Sequence, residues 1–228
     1  MNRRTELPVR ISRDAQVTAV VYAAAEPRME AGLILAHGAG AGQYSPFMTS
    51  FATALAELGV DTVTFNFLYT EQRRRIPDRG PVLEACYAAV IEAVQSEVLG
   101  PLFIGGKSMG GRIATHVAAD GRAGLARGIV LLGYPLHPPG RPENRRDAHL
   151  PNIRCPMLFV QGSRDTFGTP SELQPVMVTL DGHASLHVVK GGDHSFKVAK
   201  GARPLDEVDL EVQRAVVKFL RGVIAERG

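Results

Sequence analysis

A chain of 228 residues can bury one sizeable core, and 45% hydrophobic against 21% charged residues excludes a disordered polypeptide. A formal charge of +3, from 26 basic and 23 acidic residues with no long basic run, does not point to nucleic acid. Two cysteines, Cys86 and Cys155, are too few for a disulfide framework or a zinc site, and no apolar stretch approaches the roughly 20 residues of a membrane span.

The opening "MNRRTELPVRIS" carries positive charge with no apolar segment behind it, so a cytoplasmic protein is expected. "VRIS" and "AQVTAVVYAA" read as strands, antiparallel neighbours. "AGLILAHGAG" is a buried-type strand running into a glycine-rich loop. "PFMTSFATALAELG" reads as a helix ended by Gly59, and "VDTVTFNF" as a β-branched, aromatic strand. "GPVLEACYAAVIEAVQSEV" is a long helix with Pro81 in its first turn. "PLFIGG" is the next strand, followed by a helix from about Met109 to Ala119. "GIVLLGYP", "CPMLFVQG" and "ASLHVVKGG" are three further strands. The last helix carries an apolar stripe of Val208, Val212, Ala215, Val216 and Phe219.

Strands alternating with helices predict an α/β fold, a mostly parallel sheet covered on both faces. With no repeat, low-complexity segment or linker, residues 1–228 read as one domain. The least regular segment is 135–154, "PLHPPGRPENRRDAHLPNIR", a loop of about twenty residues and too short for a full lid.

The segment "LFIGGKSMGGRIATHVA" offers two chemistries. A phosphate-binding loop needs glycine five residues before Gly106, at a position that is Pro101; the apolar run up to Gly105 leaves no loop to wrap phosphates. A nucleophile elbow, G-x-S-x-G, fits Gly106, Lys107, Ser108, Met109 and Gly110 without adjustment. A serine hydroxyl needs a histidine to take its proton, and the histidine needs a carboxylate to hold its tautomer. Asp165 and His194 follow in that order, each after a strand. Asp193 is the rival acid, disfavoured because a carboxylate adjacent in sequence to the histidine reaches its ring poorly. An oxyanion needs N–H donors, assigned to the backbone of Met109 and of Ala39 in the "HGAG" loop. Of the other histidines, His116 reads as helix packing, and His183 and His187 as surface or edge residues. His137 and His149 lie in the 135–154 loop, where substrate contact competes with a solvated loop. Arg73 to Arg75 and Arg141, Arg145 and Arg146 read as solvated, the last three having acidic-substrate binding as the alternative.

These residues resemble the α/β-hydrolase superfamily from about residue 30 onward. More narrowly, "LILAHGAGAG", "GGKSMGGR", "GYPLHPPGRPENRRDAHL", "LFVQGSRDTFG" and "GGDHSFK" resemble a small bacterial dienelactone-hydrolase-like branch. That branch is related to animal testis-expressed and NSL-complex-subunit proteins. The resemblance implies seven or eight mostly parallel strands without a large cap, and a triad of Ser108, Asp165 and His194. Dienelactone hydrolases use a cysteine where this chain has Ser108, so their substrate is not carried over. The expectation is a serine hydrolase of a small ester or thioester, with no metal, cofactor, nucleic acid or membrane partner. The alternative is a non-catalytic scaffold serving as a binding or complex subunit.

Overall fold

The apolar runs too short for helices become the central strands of one sheet. In the computed structural model, which describes residues 4–226, these are β3 (Gly32–Ala36), β4 (Asp61–Phe65), β5 (Leu102–Lys107), β6 (Ile129–Leu132) and β7 (Met157–Gly162). All five are almost wholly buried. Their near-continuous hydrophobicity reflects burial on both faces. In β3, Leu33 and Leu35 join the core on one face while Ile34 and Ala36 join the core on the other.

At one edge, β1 (Arg4–Ser12) and β2 (Ala15–Tyr22) form an antiparallel pair; at the other, β8 (Ala184–Val189) closes the sheet. The order is β1-β2-β4-β3-β5-β6-β7-β8, parallel from β4 to β8. The chain steps from β3 outward to β4 and then crosses back to β5 on the other side of β3. This switch point opens a crevice beyond the carboxyl ends of β3 and β5, where α/β sheets bind ligands.

Helices α1 (Pro46–Glu57) and α6 (Leu205–Ala225) cover one face, and α3 (Gly80–Val94) and α4 (Met109–Ala119) the other. Two helices escaped the sequence reading. The first is the single turn α2 (Leu68–Glu71). The second is α5 (Pro170–Val178), where Pro175 disguises the helical pattern although Thr169 and Glu172 form a reciprocal capping box. The stripe on α6 is also wider than expected. Ala215 and Phe219 are only half-buried, while Gln213, Val217, Leu220 and Val223 are buried. The helix packs against α1 as well as β7 and β8, so it is enclosed on more than one side. Among the described residues, no helix is long and apolar enough to cross a membrane.

Residues 135–154 do not build a large cap domain. They form a strap with a 3₁₀ turn at Leu150–Asn152. Tyr134 donates its hydroxyl hydrogen to the Arg146 carbonyl at 2.5 Å, and the Arg146 N–H donates to Leu136 O at 2.9 Å. Leu136, His137 and Leu150 of the strap are buried.

Candidate active site

Ser108 sits between β5 and α4 with φ 52° and ψ −116°, a left-handed conformation that costs a non-glycine residue about 1–3 kcal/mol. Its N–H donates to the Leu132 carbonyl at 2.9 Å, continuing the β5–β6 pairing through the turn. The next helical turn presses on β3: a Cβ on Gly110 would lie 2.3 Å from Ala36 O. Glycine there lets α4 cross the strand closely enough to hold the serine over the crevice.

The loops after β7 and β8 bring two more groups to this point. His194 Nε2 lies 2.8 Å from Ser108 Oγ, and His194 Nδ1 lies 2.8 Å from Asp165 Oδ2. A carboxylate only accepts, so Nδ1 carries the hydrogen and Nε2 is left to accept from the serine hydroxyl. Asp165 is fully buried, and both its oxygens are engaged. Oδ1 accepts from the Phe167 N–H at 2.8 Å, and Oδ2 also accepts from Gln161 Nε2 at 2.9 Å. Phe167 stacks on the His194 ring with centroids 4.1 Å apart. Gln161, overlooked in the sequence, ties the site together: its Oε1 accepts from Tyr134 N, and its Nε2 also donates to Gly168 O. A lone amide at the end of a buried apolar strand was the available signal. Asp193 is turned away from this row, its Oδ1 accepting from the Ser195 and Lys197 N–H groups.

The loop after β3 supplies the facing wall. His37 is buried; its Nδ1 lies 2.9 Å from Gly38 O, a pure acceptor, while its Nε2 accepts from the Phe67 N–H at 3.3 Å. The ring is therefore neutral with hydrogen on Nδ1, and burial lowers its pKa. Beyond it, Gly38 packs its backbone against Ser108, and Ala39 is exposed to the cavity. Met109 opens α4, so its N–H belongs to the first-turn donors that have no intrahelical acceptor.

A cavity of about 600 Å³ opens beside Ser108, walled by Ala39, Phe47, Phe51, His194 and Gln213 among others. Lys107 also lines it. Its ammonium donates to the His194 carbonyl and lies 5.1 Å from the centroid of the Phe196 ring. Burial pulls its pKa down to about 8, opposed by the charges of Asp165 and Asp193. Neither His137 nor His149 lines this cavity, and neither do Arg141, Arg145 or Arg146. His137 bonds to Pro138 O and Glu172 instead. His183 is exposed, and His187 pairs with Glu211 of α6.

His116 and His149 stack 3.9 Å apart, fastening the strap to α4. Thr115 Oγ1 donates to Arg112 O, so it accepts from His149 Nε2 at 2.8 Å. Burial, then the neighbouring His116 and Arg112, pull the His149 pKa from 6.5 to about 4. Between those values the unfolded chain takes up a proton that the folded one refuses. The resulting stability is full above pH 6.5 and is lost as pH falls toward 4. Urea unfolding at a series of pH values is expected to show this decline, with a shallower slope in His149→Gln.

A family model described as alpha/beta hydrolase domain matches residues 29–220, and the chain belongs to that family. Among solved structures, an alpha-beta serine hydrolase homologue from Coxiella burnetii superposes with a TM-score of 0.75 at 20% identity, over 96% of this chain and 98% of that one. XC6422 from Xanthomonas campestris, a serine hydrolase without a lid, gives 0.74 at 20% identity over 95% of each chain. A dienelactone hydrolase from Anabaena variabilis gives 0.66 at 17% identity, over 95% of this chain and 98% of that one. At these identities the likeness is one of fold.

Proposed function

We propose that this protein is a serine hydrolase that cleaves a small ester or thioester through an acyl-enzyme. The observation that carries the reading is the row Ser108–His194–Asp165, with both links at 2.8 Å and Ser108 on a strained turn beside an open cavity. Ser108 Oγ attacks the carbonyl carbon as His194 Nε2 takes its proton, and Asp165 stabilises the imidazolium. The N–H groups of Ala39 and Met109 receive the oxyanion, each worth about 3 kcal/mol by analogy with other such donors. The C–O or C–S bond then breaks, His194 protonates the departing alcohol or thiol, and water repeats the sequence to release the acid.

The narrower likeness to the bacterial dienelactone-hydrolase-like branch and its animal relatives belongs to this reading too. Its most specific segment, "YPLHPPG", contributes Tyr134 and His137, whose bonds anchor the strap rather than face the cavity. We take the partner to be a small molecule rather than nucleic acid or membrane, the compartment to be the cytoplasm, and residues 1–228 to be one domain.

A fluorophosphonate probe tests the mechanism without knowledge of the substrate. Labelling is expected at Ser108 alone, absent in Ser108→Ala and sharply reduced in His194→Ala. Folded protein that resists the probe at pH 8 would instead favour the binding-scaffold reading.

A further inference from the structure

Gln213 interrupts the apolar inner face of α6, where Val212, Val216, Val217 and Leu220 are buried around it. It is 9% exposed, and its side-chain amide has no hydrogen-bond partner among the described residues. What remains exposed opens into the cavity beside Ser108. One turn earlier Asp209 lines the same cavity, and its carboxylate has neither an ion pair nor a hydrogen bond among the described residues. Residues four apart are neighbours on a helix surface, so the two groups stand together. An amide with no protein partner that reaches the cavity must be met there by water or by a ligand, and the packing of α6 gives no reason to keep it.

The chemistry of the pair selects what would satisfy it. A carboxylate accepts hydrogen bonds, and an amide NH₂ donates them. A hydroxyl group does both, donating to Asp209 and accepting from Gln213. Placed between the pair, a ligand carboxylate meets Asp209 as a like charge. A ligand ammonium can donate to both Asp209 and Gln213 Oε1 but shares the cavity with the positive charges of Lys107 and Lys197. The rest of the ligand meets an apolar wall, with the Phe47 and Phe51 rings stacked at 5.4 Å and Met48 beside them. We infer that Asp209 and Gln213 form a hydroxyl-recognition subsite, so that the preferred substrate is an ester with an apolar body bearing a free hydroxyl. As a statement about substrate, this rests on the serine-hydrolase reading above.

The test uses two matched pairs of esters. Methyl para-hydroxyphenylpropanoate against methyl phenylpropanoate places the hydroxyl in the acyl half; para-hydroxyphenethyl acetate against phenethyl acetate places it in the alcohol half. In at least one pair, the hydroxylated ester is expected to have a kcat/KM about ten- to a hundredfold higher, the range for a hydrogen bond to a charged group. The ratio within that pair is expected to fall close to one in Gln213→Leu and in Asp209→Ala. Calorimetric binding of the intact esters to Ser108→Ala reads the same preference without turnover. A binding preference in a protein that fluorophosphonate fails to label supports the subsite and removes the hydrolase reading. Labelled protein with no preference in either pair overturns the subsite alone. The melting temperature provides a further readout. Gln213→Leu exchanges an unpaired amide for an apolar side chain and is expected to raise it by about 2–4 °C. A fall would mark Gln213 as a structural residue and overturn the proposal.

Discussion

Asp165→Asn is expected to leave the fold intact and to lower kcat by about 10⁴, the loss found when a triad carboxylate is replaced by its amide. The surrounding bonds explain why so small a change has so large an effect. Oδ1 of Asp165 accepts from the Phe167 N–H, while Oδ2 faces His194 Nδ1. An asparagine with its carbonyl toward the Phe167 donor presents NH₂ to the histidine and gives up the bond from Gln161 Nε2. Nδ1 must then accept, which moves the ring hydrogen to Nε2 and points it at Ser108. A base that already carries its proton cannot take another from the serine. Asp193→Asn supplies the control, because the Asp193 oxygen that accepts from the Ser195 and Lys197 N–H groups survives as the asparagine carbonyl. Its expected loss is less than about tenfold, in keeping with surface changes that keep their bonds. Steady-state kinetics on an activated acetate ester compares the two; the reverse ranking would make Asp193 the partner of the histidine.

Gly105→Ala is expected to cost about 4 kcal/mol or more, enough to deplete soluble folded protein. The added Cβ would lie 2.0 Å from Val130 O and 2.9 Å from Val130 C, backbone atoms of the neighbouring strand that cannot rotate away. Gly105 pairs with Val130 in the register of β5 and β6. On the other face, the buried Tyr87 hydroxyl donates to Gly105 O at 2.6 Å and accepts from Gly105 N at 2.9 Å. The residue is therefore locked between strand and helix. Gly222, inside α6 with nothing within 4 Å of an added Cβ, gives the opposite sign. Gly222→Ala is expected to stabilise by about 0.5–1 kcal/mol through helix propensity. Urea melts of the two variants measure both effects.

Much of the architecture could be read locally. Buried strands announce themselves as short apolar runs because burial on both faces leaves no polar side. Ser108, Asp165 and His194 could be picked out because each follows its own strand, and the structure brings their side chains together with links of 2.8 Å. The sequence favours Asp165 over Asp193 because a carboxylate adjacent to His194 reaches its ring poorly, but the bonds that hold each one are not legible there. Their different bonds arise from the paths of the loops after β7 and β8. Helix α5 was missed for a different reason: Pro175 obscures the period that its capping box supports.

The sequence by itself determined the alternation of elements, the two-faced burial of the sheet and the position of the elbow, because these follow from residue period and glycine spacing. Tertiary structure alone decided how Gln161 holds Asp165, how Phe67 and Gly38 hold the His37 tautomer, and which cavity receives Asp209 and Gln213. A polar side chain at an apolar position shows in sequence only that something must satisfy it. The partner is brought up by a strand or loop far along the chain, and the sheet order sets which one arrives.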